Sequence, residues 1–118
     1  MTRPRYDDHS TEFGLWLRKQ KEIDSRLGFV ASNIDYVWHN YVSGKWMIIE
    51  EKRHNAEIRF CQKQIFKMVD ESILNLKYSG FYFLKFENTG PEDGDIFLNS
   101  IKITKEQLLN FLVNFDIP

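Results

Sequence analysis

Two acids and a lysine, Asp35, Glu50 and Lys52, are the residues of this chain whose types and spacing suit phosphodiester chemistry. They lie in the stretch DYVWHNYVSGKWMIIEEKRH, residues 35–54, which reads as a β-hairpin. Ile34–Val42 and Lys45–Ile49 are rich in aromatic and β-branched side chains, good strand material. Ser43-Gly44 between them fits a two-residue turn. With that turn Val42 faces Lys45, Asp35 lies opposite Lys52, and Val37 lies opposite Glu50. Opposed residues share a face of the sheet, and diagonal neighbours stay within reach of long side chains. Asp35, Glu50 and Lys52 therefore converge. A one-residue bulge would move Asp35 to the other face.

Mg²⁺ prefers six oxygen ligands and keeps several waters, so one or two carboxylates suffice to hold it. Asp35 and Glu50 supply them, with the backbone carbonyl of Glu51 as a third oxygen. A divalent cation so held lowers the pKa of an attacking water and neutralises charge building on the phosphate. Lys52 either orients or deprotonates that water, or stabilises the charged transition state as a cation. Glu51 points to the other face, a structural position paired with a helix cation. The plainer alternative is a salt-bridged strand end, with Asp35 and Lys52 as a cross-strand pair and Glu50 solvated.

The elements that must position these residues follow from periodicity. Met1–Asp8 is a polar lead, either an unordered terminus or a basic arm that sets Arg5 on phosphate. Asp8 or Ser10 caps a helix running to about Leu27, with Phe13, Trp16, Leu17, Ile23 and Leu27 at helical spacing and Gly28 as its stop. Glu12 sits in its first turn. Phe29–Ala31 is a short strand leading into the hairpin. Trp46–Ile49 is apolar on both faces, as a central strand is, and charges that directly follow such a run must be paired or metal-bound. A long helix follows from Ala56 to Leu76, with Ile58, Cys61, Ile65, Met68, Val69 and Leu76 inward. Gln62 on it either fixes a ligand carboxylate, touches substrate or is merely exposed, and Lys63, Lys67 and Arg59 decorate its polar side. Phe81–Glu87 and Ile96–Thr104 read as two further strands joined by the turn-rich Asn88–Asp95. Thr104 and Gln107 form a capping box for a helix at Lys105–Phe115, with Leu108, Leu109, Leu112 and Val113 inward.

Composition sets the outer bounds. The 118 residues suit a single domain, and 42% hydrophobic with 28% charged residues describe an ordinary globular protein. No apolar run approaches the roughly 18 residues of a membrane span, and Met1–Ser10 is too polar for a signal peptide. The single cysteine, Cys61, excludes an internal disulfide and suits a reducing cytoplasm, or a host cytoplasm for a phage or viral protein. The net charge of −1 gives no whole-molecule attraction to nucleic acid. Residues 1–77 hold 13 Lys and Arg against 11 Asp and Glu, whereas residues 78–118 hold 3 against 6, so any polyanion surface belongs to the first two-thirds.

An α-β-β-β-α-β order, with an acid on the first helix, Asp35 on one strand and Glu50-Glu51-Lys52 on the next, resembles the PD-(D/E)xK nuclease superfamily. Its restriction-endonuclease-like fold is an α/β core with a mixed central sheet flanked by helices. The likeness covers about residues 10–90, and the size and early helical Glu12 resemble small archaeal and viral Holliday junction resolvase-like nucleases. An acid-x-Lys triplet alone is common by chance, so the weight lies in its conjunction with the strand, with Asp35 and with the helices. The resemblance implies Asp35 and Glu50 as Mg²⁺ or Mn²⁺ ligands, Lys52 as the residue assisting the attacking water, and Glu12 as an additional acid. It further implies DNA as partner, a homodimer, and Gln62, Arg53, Lys63 and Arg5 as substrate contacts. Ile34 stands where the motif has proline. Gln62-x-x-x-Phe66 keeps the glutamine of the exonuclease branches but lacks their tyrosine hydroxyl.

Other chemistries find less support. His9, His39 and His54 have no metal-ligand spacing, Cys61 lies on an apolar stripe, and no glycine-rich phosphate loop is present. The expectation is a metal-dependent DNA endonuclease, with branched DNA as the substrate the resemblance suggests. The alternative is a non-catalytic DNA-binding or inhibitor module that retains the fold.

Overall fold

The apolar run at Trp46–Ile49 becomes the second strand of a five-stranded mixed sheet in the computed structural model, which describes residues 11–29 and 31–118. The chain divides into two compact units, the first ending at Asn33 and the second spanning Ile34–Pro118.

In the first unit α1 covers Glu12–Lys19, capped by the Thr11 hydroxyl, which accepts from the Gly14 N–H at 3.1 Å. The expected caps Asp8 and Ser10 lie outside the described residues, as do His9, Arg5 and the rest of the polar lead. The helix does not run to Leu27. Gln20 and Asp24 are extended, and two 3₁₀ turns, Lys21–Ile23 and Ser25–Leu27, complete the segment. Asp24 is the reason for the second break: its carboxylate accepts the Arg26 N–H at 2.8 Å, a local bond that competes with helix continuation. Gly28, at φ +100°, closes the last turn in the left-handed conformation. Phe29 and Ala31 are irregular, so the short strand expected there is not formed by them, and Val30 lies outside the described residues.

The second unit holds β1 (Tyr36–His39), β2 (Trp46–Lys52), α2 (Phe60–Ser72), β3 (Tyr78–Phe86), β4 (Ile96–Leu98), β5 (Ile101–Ile103) and α3 (Lys105–Asn114). Strand order follows chain order, β1 to β5, with β2 and β3 parallel and the other pairs antiparallel. A parallel pair needs a crossover, which α2 supplies. Alternation along the strands sends Met47, Ile49, Tyr82, Leu84 and Phe86 to one face, where they form a single core with Ile96, Leu98, Ile103 and the α3 residues Leu108 and Phe111. Ile48, Phe81 and Phe83 face the other way, where Phe66 of α2 stacks on Phe81 and lies against Phe83, with ring centroids 4.8 and 5.9 Å apart.

Several boundaries move, each for a local reason. The hairpin loop has four residues instead of two: Asn40 pairs with Lys45, and its carboxamide accepts from Val42 N and Ser43 N at 2.9 and 3.1 Å, which starts the turn at Asn40. The expected Ile96–Thr104 strand folds back on itself. Asn99 and Ser100, at φ +48° and +71°, make a two-residue turn between β4 and β5, and Asn99 exchanges hydrogen bonds with Phe83. Helix α2 starts later and stops earlier than Ala56–Leu76, with Phe66 as its buried residue, while Met68 and Leu76 are exposed. On α3 the inward residues are Leu108 and Phe111, followed by Phe115 at the helix end, whereas Leu109 and Val113 face out.

Of the expected inward residues Leu108 is buried and Leu112 half-buried against the core, so the stripe is shifted towards Phe111. Phe111 is fully buried and packs edge-on to Tyr82 at 4.8 Å, so Phe111→Ala should cost about 3–5 kcal/mol in a denaturant unfolding experiment. Leu109→Ala should stay within about 1 kcal/mol. Equal losses would mean that the helix is rotated from the orientation seen.

Candidate active site

Strand β2 carries Glu50 and Lys52 on the face that α2 covers, at the end where the strand stops. Two consecutive left-handed residues, His54 and Asn55 at φ +56° and +55°, turn the chain away there. Their N–H groups are satisfied by the Asn88 and Phe86 carbonyls at 2.9 and 3.0 Å, so this uncommon backbone conformation is held by the end of β3.

Asp35 immediately precedes β1. The observed pairing joins Tyr36 to Ile49 and His39 to Trp46, two residues out of step with the two-residue-turn register. Continued one step, it sets Asp35 beside Glu50 instead of Lys52. Because the loop grew by an even number of residues, the faces are unchanged and the three side chains still converge. Asp35 Oδ2 accepts the Glu51 N–H at 2.9 Å, which ties the carboxylate to β2. At the other end of β1, the Trp38 indole donates to the Leu112 carbonyl at 2.8 Å, so this edge strand is anchored to α3 as well.

Glu50 is 4% exposed, the one buried charged residue among the described residues. In the parallel register it neighbours Phe83. Burial, the charge of Asp35 and a hydrogen bond to it push its carboxyl up to about 7, against the pull of Lys52. The Lys52 ammonium is 3.9 Å from Glu50 Oε2, a weak ion-pair distance, and Oε1 is buried with no hydrogen-bond partner among the described residues. An orphaned carboxylate oxygen of this kind is costly. A proton shared with Asp35, or a cation, would satisfy it. The pair and Lys52 thus fit a divalent ion that needs few protein ligands. Among the described residues no cluster of three or more acidic, histidine or cysteine side chains suited to a metal is found. Glu12, in the first turn of α1, belongs to the first unit.

Other candidates are placed elsewhere or occupied. Glu51 does face away from Asp35, but its partners are the Tyr36 hydroxyl at 3.2 Å and Arg53 on its own strand end at 3.7 Å, not a helix cation. Arg53 is thereby directed to Glu51. The Gln62 carboxamide oxygen accepts the Arg59 N–H at 3.2 Å and caps α2, a capping-box use of a glutamine three residues into a helix. Lys63 is exposed on α2. Phe66 fills a site walled by Phe81 and Phe83, where a tyrosine hydroxyl would need a partner that two phenyl rings do not provide. Sequence reasoning missed Lys85, the register partner of Lys52 on β3. Parallel pairing across α2 is not countable from the chain, so no signal pointed to it.

The second unit is therefore an α/β protein in which a buried carboxylate, Glu50, meets an exposed one, Asp35, and a lysine at the end of a central strand. An uncharacterized protein of Archaeoglobus fulgidus is similar, 26% identical over 110 residues that span 75% of this chain and 71% of its own. No protein-family model matches the chain, and no solved structure matches it. Among the described residues no helix is long and apolar enough to cross a membrane.

Proposed function

We propose that the protein is a metal-dependent endonuclease of DNA with a restriction-endonuclease-like core, acting on branched substrates such as Holliday junctions as a homodimer. The observation that carries this reading is Glu50: a buried carboxylate with an orphaned oxygen, beside a second carboxylate and facing a lysine. The order α1, β1, β2, α2, β3 supports it, since it is the α-β-β-β-α-β core less its first strand. When bound, Mg²⁺ or Mn²⁺ supplies activation of the attacking water and relief of charge on the phosphate. Asp35 and Glu50 would hold the ion, and the Glu51 N–H fixes the Asp35 carboxylate against β2. Lys52 sits on the same face, where its ammonium orients the nucleophile or stabilises the pentavalent phosphorus centre.

Cleavage of supercoiled plasmid and of a labelled four-way junction, with Mg²⁺, Mn²⁺ or EDTA, tests the reading. Cutting is expected with either metal and not with EDTA, and Lys52→Ala should slow it roughly 10²–10³-fold, the effect of removing one preorganised charge-stabilising group. The net charge of −1 favours the non-catalytic module instead. DNA binding by wild type without cleavage in any metal would establish that module and end the nuclease reading.

A further inference from the structure

We propose that Lys85, beside Lys52, forms a subsite for the backbone phosphate next to the one that is cut, so that the nucleic-acid strand crosses from the end of β2 to the end of β3. This rests on the nuclease reading of the neighbouring carboxylates and names how the substrate is held there. Lys52 and Lys85 are register partners on parallel strands and share a face. Paired strands lie about 4.7–4.9 Å apart, so Lys85 stands directly beside Lys52, where a strand held at Lys52 continues.

Two lysines directly opposed repel each other, a destabilising arrangement in a sheet. Their side chains are only 22% and 27% exposed, which limits escape into solvent. Both line one surface cleft with Glu57, Ile58, Phe83 and Ser100, which opens to solvent and so is accessible to a phosphate group. The Phe97 ring lies 5.4 Å from the Lys85 ammonium and steadies it through a cation–π contact.

The carboxylate partner of Lys85 is Glu57, at 3.1 Å, on a side chain that is 83% exposed. An ion pair with so exposed a member contributes little to stability. It does not account for a second lysine opposite the first. Glu57 is instead a counter-ion free to swing into solvent when a phosphate arrives, and the compact ammonium of lysine suits a phosphate oxygen as a point charge.

The test is binding of a fluorescein-labelled DNA duplex in Ca²⁺ across a salt series, read by anisotropy, with Mn²⁺ affinity measured separately by calorimetry. Lys85→Gln should weaken DNA binding roughly fivefold to tenfold and make the slope of log K against log salt shallower by about one, the mark of a lost phosphate contact. Lys85→Arg should restore the slope, Mn²⁺ affinity should be unchanged in both, and Lys67→Gln on the surface of α2 should bind as wild type does. Equal affinity and slope for wild type and Lys85→Gln would overturn the subsite while leaving cleavage, and the nuclease reading, intact. Failure of wild type to bind DNA at all would overturn both.

Discussion

Asp35→Ala should abolish divalent-cation binding and lower metal-dependent cleavage by roughly 10³-fold or more. A metal ion contributes several kcal/mol of transition-state stabilisation, and about 1.4 kcal/mol is a factor of ten in rate. With Asp35 and Glu50 as the two carboxylates of the proposed site, removing one takes away half of the ligand charge. The adjacent Glu51 faces away and is held by the Tyr36 hydroxyl and Arg53, so the loss is not repaired by a neighbour moving in. Asp35→Asn separates the two roles. The amide oxygen can still accept from Glu51, which preserves the hairpin, but the ligand charge is gone. Both variants should lose Mn²⁺ heats in calorimetry, while Asp35→Ala alone should lose about 1 kcal/mol of stability for the N–H left without its partner. Retention of Mn²⁺ binding and cutting in Asp35→Ala would show that the ion, if any, sits elsewhere.

The legible part of this site was the part that depends on parity. Trp46–Ile49 is apolar on both faces and Glu50-Glu51-Lys52 follows directly, so the strand and the end that carries the charges could be read from residue types. The convergence of Asp35 with Glu50 and Lys52 survived an error in the turn, because a four-residue loop and a two-residue loop set the same faces inward. The opposing residue did not survive. The Asn40 carboxamide started the turn early, and Asp35 fell beside Glu50, which turned an expected lysine–aspartate pair into a carboxylate pair. Long-range geometry was not legible. Glu50 is buried on a strand flanked on both sides, beside Phe83 of β3, and Lys85 faces Lys52 because of a parallel register set by the length of a crossover. The Asn99-Ser100 turn was hidden by apolar alternation on both sides of it, although its backbone, left-handed at both residues, is the kind that asparagine tolerates.

The carboxylate pair makes stability depend on pH in a direction opposite to the usual acidic residue. Glu50 has an ordinary carboxyl value near 4.5 when unfolded and is pushed up to about 7 when folded, by burial first and by Asp35 second. Between these values the folded state binds the extra proton, so stability falls as pH rises. The contribution is fully present below pH 4.5, declines through about pH 7 and is lost above it. At about 1.36 kcal/mol per pH unit, the span corresponds to roughly 3 kcal/mol. Glu50→Gln removes the titration. It should be more stable than wild type by up to about 3 kcal/mol at pH 8, the gap narrowing to under about 1 kcal/mol at pH 5, a difference that cancels every other titrating group. Divalent cation should close the same gap from the other side, since binding to the folded state at a hundred times its dissociation constant adds about 2.7 kcal/mol. Urea unfolding of both proteins at pH 5, 6, 7 and 8, with and without Mn²⁺, reads all of this. A wild type whose stability relative to Glu50→Gln is flat across that range would mean that Glu50 stays ionised against Lys52. The cluster would then be a salt-bridged strand end, and only added stability with Mn²⁺ would leave it a place for a metal.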